Sequence, residues 1–408
     1  MQQQENNPNQ VIASFHIPQR YEKKKLIGSG AYGQVILAQD TLKQKKVAIK
    51  KLHKIEDIID AKRVLREIRI LRYLNHENII YLSNLHYDDS EEGQDFGNIY
   101  IITEFIDIDL YKVIKSGQNL TDEHIQFIIY QILKAVKYLH SANIVHRDLK
   151  PSNLLATERC EIRVCDFGLS RQINNLPQSQ GDQNMTEYVV TRYYRAPEIM
   201  LSSHEYSKAV DIWSVGCTLA ELLTKKILFK ANNYIDQIKL IMKTLGKPGP
   251  SDLGFITNSN ARKFVDQLPD KEKVSVKTFI KYENEKALDL LDKMLTINPA
   301  TRYSADQCLK HPYLSSLHDE SDEPVFEGNI DFSFEDDTSL SLDQLRTMIL
   351  QEVNYYKQKN NEERLDINQC MQSVKQKRKV LEEEAKKLQQ IERQQQQQQQ
   401  SQQQQAEK

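Results

Sequence analysis

A chain of 408 residues is too long for one small core and suits two packed lobes with extra segments at the ends. Its 55 basic and 57 acidic side chains leave a net charge of -2, which offers nucleic acid no polycationic surface. Five cysteines, Cys160, Cys165, Cys217, Cys308 and Cys370, are odd in number and scattered, which fits neither a disulfide framework nor a zinc pattern and points to a reducing compartment.

The N-terminal "MQQQENNPNQ" has no apolar stretch, and no run of about 18 apolar residues occurs anywhere, so neither a secretion signal nor a membrane span is expected. Residues 1–20, rich in Gln and Asn, are expected to be a disordered extension. From Lys25 to Lys51 the runs "KKLIGSG", "GQVILAQD" and "KKVAIKKL" read as three short strands separated by turns, an antiparallel meander. A helical pattern begins near Glu56. It is strongest from Thr121 to His140, where Ile125, Ile128, Ile129, Ile132, Leu133, Val136 and Leu139 share one face. The rest is mainly helical, so the fold class is α+β, a small β-rich lobe followed by a larger helical one. The tail, residues 357–408, is charged and then almost pure glutamine. Ile367, Val374, Leu381 and Leu388 recur every seven residues, but Met371, Arg378 and Ala385 make a poor second seam; a frayed charged helix leading into disordered polyglutamine is favoured over a short coiled coil.

Three stretches carry chemistry. "GSGAYGQV", Gly28 to Val35, is followed by a strand-like run rather than a helix, so its glycines fit a hairpin whose backbone N–H groups lie over phosphates, not a Rossmann turn. That makes Ile27, Gly28, Ser29, Gly30, Ala31, Tyr32, Gly33, Gln34 and Val35 candidate nucleotide contacts. Lys50, on the strand "VAIK", is spaced to reach the α- and β-phosphates; Glu67 on the following helix would hold it by an ion pair, although taken alone it reads as a solvated surface charge. The strongest signal is "IVHRDLKPSNLL", residues 144–155, followed by "VCDFGLSR", residues 164–171. Asp148 is placed to orient and deprotonate a hydroxyl, and Lys150 to neutralise charge on a transferred phosphoryl group. Asn153 and Asp166 supply oxygen ligands for Mg²⁺.

In that order and at those spacings, residues 21 to about 313 resemble a eukaryotic protein kinase, and the resemblance is closer still to the mitogen-activated protein kinases. It implies a bilobal fold, with residues 21–106 as the N-lobe and 107–313 as the C-lobe, and ATP with Mg²⁺ as the cofactors. Lys150, two residues after Asp148, is what serine/threonine kinases carry. The resemblance makes Thr103 the gatekeeper and adds Glu104, Ile106 and Leu155 to the ATP-binding set; it pairs Glu198 of "RAPE" with Arg302, and has Asp211 brace the catalytic loop. In "MTEYVVTRYYRAPE", residues 185–198, Thr186 and Tyr188 match the family's regulatory phosphosites. Arg66, Arg147 and Arg171 stand where phosphothreonine partners lie, and Arg192 and Arg195 where phosphotyrosine partners lie. "TEY" is similar to the extracellular-signal-regulated branch, whereas Val190 and Tyr193 look more like the Jun N-terminal kinase branch. Within the extension 314–356, Asp319 and Asp322 match acids that receive basic docking motifs, and "LSLDQLRTMILQEV" resembles a helix that returns to the small lobe. The implied partners are protein substrates with Ser/Thr-Pro sites, an upstream dual-specificity MAP kinase kinase, and phosphatases, with no nucleic acid and no membrane span; the implied location is cytoplasm and nucleus. Intact Lys50, Asp148, Asn153 and Asp166 argue against a catalytically dead scaffold.

Overall fold

The computed structural model describes residues 7–30, 33–91, 93–173, 192–201 and 207–406. In chain order the described strands are β1 (Tyr21–Gly30), β2 (Gly33–Asp40), β3 (Lys45–Lys51), β4 (Leu82–Asp88), β5 (Asn98–Glu104), β6 (Ile108–Asp109), β7 (Ile144–Val145), β8 (Leu154–Ala156), β9 (Ile162–Val164) and β10 (Arg171–Gln172). The helices are α1 (Pro8–Ala13), α2 (Ile58–Tyr73), α3 (Leu110–Lys115), α4 (Asp122–Ser141), α5 (Pro197–Leu201), α6 (Ala209–Thr224), α7 (Tyr234–Leu245), α8 (Ser259–Asp266), α9 (Glu285–Met294), α10 (Ala305–Leu309), α11 (Ser333–Asp336), α12 (Leu342–Lys359) and α13 (Ile367–Ala406). None of them is long and apolar enough to cross a membrane. Two compact units form: a small one from residues up to 61, 82–103 and 340 onward, and a large one from 62–81 and 104–339.

The small unit is a five-stranded sheet in the order β1-β2-β3-β5-β4. Strands β1, β2 and β3 make the expected antiparallel meander, with Val35 opposite both Gly28 and Lys50. At the mouth of the first hairpin Gly33 takes φ +130°, and a Cβ there would sit 2.1 Å from the carbonyl oxygen of Lys51, so only glycine fits. Val11, Phe15, Ile36, Ile49, Tyr100 and Ile102 form the core on one face of the sheet. Here the expectation of a disordered stretch over residues 1–20 fails for residues 7–20. Asn7 caps α1 through its side chain, Phe15 is fully buried beside the Tyr100 ring, and the His16 N–H donates to the Tyr100 hydroxyl at 3.1 Å. The physical reason is the short apolar set Val11, Ile12, Phe15 and Ile17, which lies inside a Gln/Asn-rich composition.

The two compact units do not follow chain order, since residues 62–81 belong to the large one although β4 and β5 follow them. Most of α2 belongs to the large unit because its basic side chains are anchored to the acidic C-terminal extension: Lys62 Nζ donates to the backbone oxygens of Glu335 (2.8 Å) and Asp337 (3.2 Å), and Arg69 pairs with Asp331 at 3.1 Å. The extension itself divides near residue 340. Beyond it, α12 opens with a Ser341/Gln344 capping box and buries Leu345, Ile349 and Val353 on the β4 side of the sheet, covering an edge strand. The glutamine-rich tail, expected to lose structure, continues as helix α13 to Ala406, in keeping with glutamine's good helix propensity.

In the large unit, α4 runs through the centre, capped at Thr121, and all seven residues of its expected apolar face are buried. It packs on α6, whose Trp213 is fully buried and stacked at 5.7 Å on Phe229. The short strands β6 to β10 pair as two small sheets, β10-β7 and β6-β8-β9, and carry the loops that matter next.

Candidate active site

Strand pairing fixes two loops side by side. Val145 of β7 lies opposite Arg171 of β10, and Leu154 of β8 lies opposite Val164 of β9, so residues 146–153 and 165–170 run between the same strand pairs. The first loop is pinned by Asp211 at the start of α6. Its carboxylate accepts the backbone N–H groups of His146 and Arg147, each at 2.9 Å, and His140 Nε2 lies 2.9 Å away. Burial alone would raise the Asp211 carboxyl, but the hydrogen bonds from His140 and the Arg147 N–H, with the charge of the two histidines, outweigh it and hold the group below the usual carboxylate range. Arg147 is held at φ +69°, a left-handed conformation that a non-glycine residue keeps only when its surroundings impose it.

Asp148 follows, 7% exposed. Lys150 Nζ donates to its Oδ2 at 2.8 Å, and Asn153 Nδ2 donates to the same oxygen at 2.9 Å and to the Asp148 carbonyl at 2.8 Å. Both side-chain donors converge on Oδ2, which leaves Oδ1 to receive a proton. Burial raises the Asp148 carboxyl above its ordinary value; Lys150 pulls it back and Asp166 adds to the rise. The buried carboxylate that pins the loop and the one that the loop carries are therefore shifted in opposite directions, Asp211 downward and Asp148 upward.

The second loop is tied to the first. The Cys165 N–H donates to the Asn153 carbonyl at 3.0 Å, His146 Nε2 lies 3.1 Å from the Cys165 carbonyl, and Phe167 is fully buried against the His146 ring at 5.0 Å. Asp166, at φ +64°, is thus held one residue from an atom bonded to Asn153. Because the Asn153 amide nitrogen is committed to Asp148, its Oδ1 remains as an acceptor. With the Asp166 carboxylate it makes a pair of hard oxygen donors, a set that fits a small divalent cation.

Other expected positions fall as follows. Ile27 to Gly30 and Gly33 to Val35 lie on the first hairpin of the small unit, with Lys50 on β3; Ala31 and Tyr32 lie outside the described residues. Glu67 is buried on α2 in the large unit. Thr103 ends β5 opposite Leu82. Next to it, Glu104 donates its N–H to the Tyr81 carbonyl at 3.2 Å and accepts the Tyr81 N–H on Oε1 at 3.0 Å. Ile106 is half-buried, and Leu155 sits on β8 opposite Asp109. Glu198 and Arg302 form the expected pair, bidentate at 2.6 and 3.0 Å and almost fully buried.

Residues 21–314 match the protein kinase domain family. The chain is 45% identical over 345 residues to extracellular signal-regulated kinase 1 of Dictyostelium discoideum, covering 84% of this chain and 64% of that protein. It is 45% identical over 344 residues to mitogen-activated protein kinase mpkB of Aspergillus fumigatus, covering 83% of this chain and 96% of the relative. Mitogen-activated protein kinase 5 of Arabidopsis thaliana is 45% identical over 314 residues, 77% of this chain and 81% of the relative. The chain belongs to the mitogen-activated protein kinases. It is a serine/threonine protein kinase with the bilobal fold of that family, a β-sheet small lobe and a helical large lobe. Use of ATP with a divalent metal comes with the family.

The kinase departs from the expected phosphate-binding set at one residue. Arg171 is brought near Arg147 by the β7–β10 pairing, but Arg66, 2% exposed, is already held by a carboxylate: its Nε donates to Glu335 Oε1 and its Nη2 to Oε2 at 2.6 Å. Arg66 is thus not an empty anion seat. The sequence signal was the acidic "FSFEDD" after two aromatics, which reads as solvated tail until Phe332 and Phe334 are seen to be buried. Arg192 and Arg195 do converge, at 5.2 and 5.7 Å over the Tyr234 ring. Thr186 and Tyr188 lie outside the described residues. Of the docking acids, Asp319 is exposed and caps a short turn, whereas Asp322 pairs at 2.5 Å with the buried Lys134, which also pairs with Glu77 at 2.6 Å.

Proposed function

We propose that this kinase transfers the γ-phosphoryl group of ATP to serine or threonine preceding proline, in intracellular signal transduction, and that its activity is set by phosphorylation of Thr186 and Tyr188. The observation that carries the chemical reading is Asp148, whose carboxylate is oriented by Lys150 and Asn153 on a loop pinned by Asp211. Asp148 accepts the proton of the substrate hydroxyl as the hydroxyl oxygen bonds to the γ-phosphorus and the bond from that phosphorus to the bridging oxygen breaks, releasing ADP, and Lys150, beside it, offsets negative charge on the phosphoryl group in transit. Asn153 and Asp166 are the residues that would hold Mg²⁺, which supplies charge neutralisation to the phosphates when bound. Comparing a Ser-Pro peptide with its Ser-Ala counterpart tests the proline preference; equal kcat/KM for the two would remove it.

Activation follows from the arginines. A phosphate on Thr186 engages Arg66 only by displacing Glu335, and it is equipped to do so, with about -1.5 to -2 charges and three acceptor oxygens against one carboxylate. Phosphate on Tyr188 acts through Arg192 and Arg195 on the pocket that receives proline. Since charge-assisted hydrogen bonds contribute about 1.5–3 kcal/mol each, Thr186→Ala is expected to lower kcat by roughly 10- to 100-fold, while Tyr188→Phe chiefly raises KM. The check is steady-state kinetics on unphosphorylated, singly and doubly phosphorylated enzyme; full activity without either phosphate would overturn the switch.

Asp319 and Asp322 are proposed to receive basic docking motifs of substrates, of the upstream dual-specificity MAP kinase kinase and of phosphatases. Because Asp322 also compensates Lys134, Asp319→Asn is the cleaner test. It should raise KM several-fold for a full-length substrate carrying a basic motif and leave a short peptide unchanged, the difference shrinking at high salt. Equal effects on both substrates would remove the docking role.

A further inference from the structure

α13 lies wholly beyond the matched kinase domain, yet its first three turns are fastened to the small unit. Val374 is fully buried. One turn on, Lys377 Nζ donates to Asp89 Oδ1 at 2.6 Å and to the Asp89 carbonyl at 2.8 Å, and the Ser373 hydroxyl donates to Asp89 Oδ2 at 3.2 Å. Arg378 donates to Asp95 at 3.0 Å and to Asp343 at 2.7 Å. Asp95 is itself gripped by the buried Arg346 of α12, at 2.7 and 3.0 Å. The charges therefore alternate through the joint, Arg346, Asp95, Arg378, Asp343, and link three segments: the β4–β5 loop, α12 and α13. The connection before α13 adds to it, for Asn360 donates to the Ser83 carbonyl of edge strand β4 at 3.1 Å and Glu362 accepts from Asn84 at 2.8 Å. Past this joint the helix is in solvent: Val380, Leu388 and Ile391 are 54%, 62% and 49% exposed.

We propose that residues 367–379 of α13 are an electrostatic strap, held on the β4–β5 loop and α12 by Lys377 and Arg378, that opens when charge on this face is altered and so releases the glutamine-rich half of the helix as one arm. Val374 is the strap's one fully buried apolar side chain, with Ile367, Cys370 and Met371 half-buried beside it, so the apolar contact is small and the ion pairs tip attachment. Linked pairs shared between two acids hold better than isolated surface pairs, whose individual contribution is small. Ser373 is the most exposed point to charge reversal, since a negative group there would face the Asp89 carboxylate.

Hydrogen exchange on the full chain tests this. In the wild type, amides of 367–379 should exchange far more slowly than those of 380–396, and Lys377→Ala/Arg378→Ala should accelerate them on the order of tenfold while leaving α4 protected. Ser373→Asp should act in the same direction, and the swap Asp89→Lys with Lys377→Asp should restore part of the protection. Raising salt from 0.05 to 0.5 M should loosen the wild-type strap. Equal exchange along 367–396 in the wild type, or unchanged protection in the double variant, would overturn the proposal, and loss of α4 protection would show that the variant had unfolded generally, in which case Ser373→Asp decides.

Discussion

Asp148→Asn lowers kcat by about 10²- to 10⁴-fold, with nucleotide affinity close to that of the wild type. Asparagine keeps the size and one oxygen, so the hydrogen bonds from Lys150 and Asn153 can in part persist, but it cannot accept the hydroxyl proton. The candidate nucleotide-binding residues of β1, β2 and β3 lie in the small unit and are untouched. The same substitution is expected not to destabilise the fold at pH 7. Asp148 has a raised carboxyl in the folded chain, so its ionised form opposes folding: between the ordinary carboxylate value and the folded one, stability rises as pH falls, and above that window the cost of burying the charge is present in full. Asparagine removes that cost. A single-turnover assay alongside nucleotide titration and a thermal melt separates these outcomes, and a melt far below wild type would remove the reading of lost proton transfer. For the wild type, the raised carboxyl also moves the acid limb of kcat/KM above where an exposed aspartate would place it.

Arg302→Met is expected to cost about 3–5 kcal/mol of stability, because it strands the buried Glu198 without its counter-charge. More is lost than one pair. Arg302 also donates to the carbonyls of Thr296 at 2.8 Å, Ala209 at 2.8 Å and Ile297 at 3.1 Å, and its guanidinium lies 5.1 Å from the Trp213 ring centre. Three backbone oxygens from two segments, the one that follows α9 and the start of α6, meet on one side chain. Adding Glu198→Gln should recover the part due to the stranded charge but not the part due to the carbonyls, so the double variant should unfold at a urea concentration between those of wild type and Arg302→Met. Recovery to the wild-type midpoint would mean that the carbonyl contacts contribute nothing.

The parts of the site that could be read from sequence are those built from contiguous backbone. The hairpin from Gly28 to Val35 and the loop from His146 to Asn153 need fixed residue types at fixed spacing, because each donor or acceptor is placed by the few residues around it. Likewise α4 declared itself, since an apolar face recurring every three to four residues permits little else. What stayed hidden depends on residues far apart. Glu335 meets Arg66 across 269 positions, and nothing local to either marks the other. Phe15 is one aromatic within a polar stretch whose average composition outweighs it, and Val374 reads as one member of a weak heptad until Asp89 and Asp95 are found beside its neighbours. Likewise α2 groups with its ion partners rather than with its sequence neighbours, which nothing local to it marks.

Both described chain ends are stitched into the small unit, and this bears on how the protein can be produced. Trimming to residues 21–314, the stretch that the kinase family matches, would discard Val11 and Phe15 from one face of the sheet and Leu345, Ile349, Val353 and Tyr356 from beside its edge strand. The shortened polypeptide would present those uncovered apolar areas, with a bare strand edge, to its neighbours in the cell, and material made this way is expected in inclusion bodies rather than in the supernatant. Soluble yield therefore depends on retaining the chain at least from Asn7 through α12, with any affinity handle placed on the glutamine-rich arm, where it covers nothing.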